Sequence, residues 1–133
     1  MTYYFDMDGV LADFHKNYTN RAQALSFDYI ANLPAFAENV KLLNELIARG
    51  VKCYILTKAA NEAAKAGKIA WLAKYVPALT LDRFICIVGY GKKIDYMREA
   101  GTLIDDDEKN TKQWTKAGQP AITLQTKGEK ITL

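Results

Sequence analysis

A parallel α/β fold is predicted by three features of this 133-residue sequence. Short β-branched and aromatic runs alternate with helical patterns from end to end. One helix with regular apolar spacing lies between two such runs, as in a βαβ unit. Apolar runs also end in acidic or hydroxyl side chains, where ligands bind in folds of this class. Together they predict a three-layer, Rossmann-like arrangement with a five-stranded parallel sheet.

The first strand is read over 2–5. The following helix keeps Phe36, Val40, Leu43, Leu46 and Ile47 on one face and is ended by Gly50. Further strands are read over 51–56, 84–88, 102–104 and 121–124, with helices over 61–75, 92–100 and 108–117. Residues 14–33 form an insertion after the first strand, carrying Phe14, Tyr18, Phe27 and Tyr29 among polar residues, and Pro34 marks the return to regular structure. These aromatic rings are expected to pack the insertion onto the body, and Trp114 to lie in the core. Residues 128–133 read as a short edge strand or a loose tail.

Half of the residues are apolar and a quarter are charged, the composition of one globular domain over 1–133 with 14–33 as a minimal cap insertion. No apolar run approaches the roughly 20 residues that cross a bilayer. The start, Met1 to Asp6, lacks the features of a signal peptide, so a cytoplasmic protein without a membrane partner is expected. Eighteen basic against 15 acidic side chains give a net charge of +3, and the lysines are scattered, which argues against strong nonspecific nucleic-acid binding. Cys53 and Cys86 sit in apolar runs and read as buried thiols.

Chemistry concentrates in four places. In Asp6-Met7-Asp8-Gly9-Val10-Leu11-Ala12-Asp13, two acids occupy alternate positions at a strand end, and Gly9 permits a sharp turn. A calcium loop would place its glycine sixth from the first acid, whereas Gly9 is fourth. Clustered carboxylates are costly without a cation. Thr57, followed by Lys58, ends the second strand, where a hydroxyl serves as a helix cap, as a ligand group, or as both. Asp105 and Asp106 end the fourth strand, and with Asp6 they would offer a hard cation such as Mg²⁺ the oxygen ligands it prefers. Asp107 and Glu108 suit the first turn of the next helix. Lys92 and Lys93 would supply the positive charge that such a carboxylate cluster needs in order to accept a phosphate dianion. The lone His15 reads as a surface or cap residue.

In this order the four motifs resemble the haloacid dehalogenase superfamily of phosphotransferases, over essentially the whole chain. The first motif matches the family's Asp-x-Asp-Gly-x-x-x-Asp pattern, which implies Asp6 as nucleophile and Asp8 as general acid and then base. Thr57 matches the hydroxyl that binds the phosphoryl group. Lys93, twelve positions before Asp105, fits the third-motif lysine better than Lys92, the adjacent pair leaving both as candidates. Asp105 and Asp106 match the paired acids of the fourth motif, with Asp106 the more direct metal ligand by similarity. The resemblance implies metal coordination by Asp6, Asp8 through its carbonyl, Asp105 and Asp106, and a substrate-binding set of Gly9, Thr57, Lys58, Lys92 and Lys93. The run Leu103-Ile104-Asp105-Asp106 with Asn110, Trp114 and Gly118 is similar to the 5'-nucleotidase group that includes the 5'(3')-deoxyribonucleotidases.

The expected activity is therefore a magnesium-dependent phosphomonoester hydrolase that works through an aspartyl phosphate. Its expected substrate is a small phosphorylated metabolite, foremost a (deoxy)nucleoside monophosphate. Two alternatives stand beside it: a phosphatase of nucleic-acid ends, as in polynucleotide kinase-phosphatases, and a non-catalytic binding module on the same fold.

Overall fold

The computed structural model describes residues 1–133. Five strands, β1 (Thr2–Phe5), β2 (Lys52–Ala59), β3 (Phe84–Val88), β4 (Thr102–Asp105) and β5 (Ala121–Thr123), form one sheet in the order β3-β2-β1-β4-β5. All four pairings are parallel. The helices are α1 (Arg21–Ala24), α2 (Phe27–Ala31), α3 (Ala37–Ala48), α4 (Glu62–Tyr75) and α5 (Glu108–Lys116). The protein is thus α/β with the predicted five-stranded parallel sheet, and no helix is long and apolar enough to cross a membrane.

Alternation along the strands sends side chains to opposite faces. Tyr3, Phe5, Cys53, Ile55 and Ile104 join Val40, Leu43 and Leu46 of α3 and Trp71 and Leu72 of α4. Tyr4, Tyr54, Leu56 and Leu103 face the other way and pack with Trp114 of α5. On that face the Tyr4 and Tyr54 rings stack at 4.8 Å, and Trp114 meets Tyr4 edge-on at 5.0 Å. The first cluster holds 22 buried side chains against 7, so α3 and α4 cover most of the core. Cys53 is buried as expected, but Cys86 is only half-buried because β3 is an edge strand.

The structure departs from the sequence reading in three places. Between β3 and β4 the predicted helix over 92–100 shrinks to a 3₁₀ turn at Lys93–Tyr96. The Tyr4 hydroxyl explains the loss: it accepts the Arg98 and Glu99 N–H groups at 3.1 and 2.9 Å and donates to the Glu99 carbonyl at 2.7 Å. Backbone groups that a helix would pair are thereby satisfied by a core side chain. Strand β2 runs three residues past its predicted end at 56, because Thr57, Lys58 and Ala59 pair with Cys86, Ile87 and Val88. The tail after residue 127 is neither strand nor loose. Asn39, buried in α3, donates to the carbonyls of Val10 and Glu129, both at 2.9 Å, and accepts from the Ile131 N–H at 3.0 Å. One amide side chain thus ties the C-terminal segment to the turn after β1.

The insertion lies along α4. A Cβ on Gly67 would sit 2.8 Å from the Phe27 carbonyl, so α2 and α4 approach at backbone distance. The Trp71 indole donates to the Leu33 carbonyl at 2.8 Å, and the Asn61 side chain donates to the Leu25 carbonyl at 3.1 Å. Phe14, Tyr18 and Tyr29 pack on one another.

Candidate active site

Asp6 immediately follows β1, and its N–H still donates to the Ile104 carbonyl at 2.9 Å, which fixes its carboxyl at the C-terminal edge of the sheet. The chain then folds back on itself: the Met7 carbonyl accepts the N–H groups of Val10, Leu11 and Ala12 at 3.3, 2.8 and 2.9 Å. Gly9 is required in this turn twice over. Its φ is +83°, and a Cβ there would lie 2.3 Å from Asp106 Oδ2. The glycine that follows the two acids therefore clears the space that Asp106 occupies.

Lys93, buried in the 3₁₀ turn, reaches Asp6 Oδ1 and Asp105 Oδ2, each at 2.7 Å. Asp105 is fully buried and fully engaged. Its Oδ1 accepts the Asp107 N–H at 2.9 Å, and its Oδ2 also accepts from the Asn110 amide at 3.1 Å. Asp106 is less buried, and its Oδ2 accepts from Lys127 at 2.8 Å. Lys92 is exposed and does not line the cavity, whereas Lys93 does.

On the other side of Asp6, Lys68 is 1% exposed and donates to Asp8 Oδ2 at 2.9 Å and to Thr57 Oγ1 at 3.0 Å. Thr57 is buried within β2 and does not cap α4, a role taken by Asn61, whose side chain accepts the Ala64 N–H at 2.8 Å. Asp8 Oδ1 is buried without a partner. As expected, Asp107 and Glu108 start α5; Asp107 caps it by accepting the Lys109 N–H at 2.9 Å.

These groups surround a cavity of about 410 Å³ whose twelve lining residues are all polar or charged, Lys58 and Lys127 among them. Of the insertion, only His15 contributes, at the exposed rim. Burial pushes the Asp6 carboxyl well above the usual carboxylate range; the Lys93 ammonium opposes the rise, and the Asp105 and Asp8 charges add to it. Burial works against the Lys93 ammonium, but Asp6 and Asp105 hold its pKa above the ordinary lysine value. The hydrogen bond to Asp106 raises Lys127 as well.

One carboxylate oxygen from each of Asp6, Asp105 and Asp106 lies within 4.8 Å of the others, so these three acids could hold a metal ion. The set fits a hard cation. All donors are oxygens, the Gly9 gap leaves Asp106 its room, and none of the backbone hydrogen bonds of the turn uses the Asp8 carbonyl.

Sequence reasoning missed Lys68 and Lys127. Lys68 had left a signal, because it shares the buried face of α4 with Ala64, Gly67, Trp71 and Leu72, where a lysine needs a buried partner. Lys127 had left none: only the path of the tail brings it to Asp106.

No family model matches the sequence, and no curated protein matches it. Among solved structures, the chain is similar to one from the Pnkp1/Rnl/Hen1 complex, with a TM-score of 0.69 and 15% identity. The match covers 92% of this chain and 44% of that one, so this chain spans less than half of its neighbour's length. At this identity the likeness establishes a shared α/β fold with helices around a parallel sheet.

Proposed function

We propose that the protein is a phosphomonoester hydrolase of the haloacid dehalogenase type, with Asp6 as its nucleophile. The observation that carries this reading is Asp6 itself, held by Lys93 at one oxygen and set beside Asp8, Thr57 and Asp106 in an all-polar cavity. Hydrolysis of phosphate monoesters demands among the largest accelerations known, and most of it must come from positioning and charge neutralisation.

Asp6 attacks phosphorus, forming the carboxyl–phosphorus bond as the bond to the leaving oxygen breaks. Asp8, protonated, delivers its proton to that oxygen. The resulting carboxylate takes a proton from water as the water attacks the aspartyl phosphate, which releases inorganic phosphate and restores Asp6. Thr57 and Lys93 bind the phosphoryl oxygens, while Lys68 keeps Asp8 and Thr57 in fixed relation. Asp6, the Asp8 carbonyl and Asp106 would hold Mg²⁺, with Asp105 buttressing Lys93; the ion would neutralise charge on the phosphoryl oxygens.

For the leaving group, the terminal phosphate of a nucleic-acid strand is the better supported substrate. No apolar side chain lines the cavity to receive a base, and Phe14, Tyr18 and Tyr29 of the insertion pack on one another. The similarity to a chain of the Pnkp1/Rnl/Hen1 complex supports the same choice. A free nucleoside monophosphate is the second reading, favoured by the modest and scattered positive charge. Phosphate release from a 3'-phosphorylated oligonucleotide, a 5'-phosphorylated oligonucleotide and a panel of nucleoside monophosphates, with Mg²⁺ or EDTA, tests both. The proposal expects Mg²⁺-dependent release with the highest kcat/KM on an oligonucleotide end. Preference for the mononucleotides would select the second reading, and no release from any ester would favour a binding module.

A further inference from the structure

The C-terminal segment is anchored to the first-motif turn at several points. The Gly128 N–H donates to the Gly9 carbonyl at 2.8 Å, Asn39 holds Glu129 and Ile131, and Ile131 is buried. Within the segment, Glu129 Oε1 accepts the Gln125 and Thr126 N–H groups at 2.7 and 3.3 Å. Gly128 has a φ of +74°, and a Cβ there would lie 2.3 Å from the Phe36 ring, so the turn admits little else at that point. The residue this turn presents to the cavity is Lys127, whose half-exposed side chain donates to Asp106 Oδ2 at 2.8 Å.

The anchoring fixes the backbone on either side of Lys127 and leaves its ammonium to Asp106. Asp106 has no other charged partner, whereas Asp105 is already engaged by Lys93 and Asn110. The three acids around the metal position, Asp6, Asp105 and Asp106, face the ammonium groups of Lys93 and Lys127, which leaves one formal negative charge. Without Lys127 there would be two, and a divalent cation would be drawn more strongly to the empty enzyme. With a cation and a phosphate dianion both present, the extra ammonium is favourable again.

We propose that Lys127 is a tethered cation that stands in for the divalent ion at Asp106 in the free enzyme and is handed over to the substrate's phosphate when the ion binds. The inference rests on the phosphatase reading and its metal site. Lys127 thereby weakens the binding of metal alone and strengthens the binding of phosphate to the metal-loaded enzyme. Metal and substrate are then held together more tightly than either is held alone. Lys127 is a phosphate-binding residue that takes no part in proton transfer.

The test measures Mn²⁺ binding by electron paramagnetic resonance without substrate, and inhibition of phosphate release by inorganic phosphate at saturating Mg²⁺. Wild type, Lys127→Met, Lys127→Arg and Asp106→Asn are compared. The expected result for Lys127→Met is a Mn²⁺ Kd lower by about fivefold, or ~1 kcal/mol at 1.4 kcal/mol per tenfold, with a phosphate Ki higher by a similar factor. Lys127→Arg should stay near wild type in both. Unchanged or weaker Mn²⁺ binding in Lys127→Met overturns the proposal, as does tighter Mn²⁺ binding with an unchanged phosphate Ki. If Asp106→Asn abolishes Mn²⁺ binding while Lys127→Met changes nothing, the Lys127 inference alone fails. If wild type binds no Mn²⁺, both the inference and the metal site beneath it fall.

Discussion

Lys68 bridges Asp8 and Thr57: one buried ammonium, on the inward face of α4, donates to Asp8 Oδ2 at 2.9 Å and to Thr57 Oγ1 at 3.0 Å. The proposed proton-transfer group and the proposed phosphate-binding hydroxyl are thus set by a residue on a helix that belongs to neither motif. Lys68→Met keeps the length and apolar stem of the side chain and removes the bridge. Because general acid–base catalysis contributes about 10²–10⁴-fold, kcat is expected to fall by about 10²-fold. The loss should fall on kcat rather than on KM, because the group it displaces is the proposed proton donor, and circular dichroism should be unaltered. A wild-type kcat in the mutant would mean that Lys68 only fills space.

Lys93 is the sole cation between two buried carboxylates. Removing one member of a buried ion pair leaves an uncompensated charge and costs about 3–5 kcal/mol. Lys93→Met should lower the urea unfolding free energy by that amount, and Lys93→Met combined with Asp105→Asn should recover part of it. If the double mutant is no more stable than the single, the loss comes from packing rather than charge.

A second polar cluster stabilises the opposite end of the sheet, near the start of β1. Glu99 accepts from Thr2 and Tyr54 and pairs with Lys52, and these contacts lower its pKa to about 2, with the Lys52 and Tyr54 hydrogen bonds the largest causes. The folded pKa lies below the ordinary value of 4.5. The contribution is therefore full above about pH 4.5 and disappears as pH falls through about 2. Glu99→Gln should lower the Tm near neutral pH, and the difference from wild type should shrink steadily between those limits. Parallel Tm curves over that range would show that the charge of Glu99 carries no stability.

The sheet and its order of elements were legible because parallel βαβ units write themselves as alternating apolar runs and helical stripes, and three of the four motifs lie at strand ends for the same reason. Asp6, Asp8, Thr57, Asp105 and Asp106 could be named because each lies at the end of a recognisable strand, whereas Lys93 was named by the family resemblance, from its spacing to Asp105. The connection over 92–100 was misread because its backbone is satisfied by the Tyr4 hydroxyl, a partner about 95 residues away in sequence. Lys127 and the anchoring of the tail were invisible for a related reason. They depend on Asn39 spanning from α3 to both the first-motif turn and residue 131, a meeting that no local pattern encodes.

In the proposed reaction Asp6 accepts the phosphoryl group. The most direct measurement is an acid-quenched single turnover with Mg²⁺ and a 3'-phosphorylated oligonucleotide, following the phosphate label on the Asp6 peptide and phosphate release in parallel for wild type and Asp6→Asn. Label is expected transiently on that peptide in wild type and not at all in Asp6→Asn, with phosphate release lowered by at least about 10³-fold in the mutant. Phosphate release that survives Asp6→Asn at a comparable rate would contradict this role of Asp6.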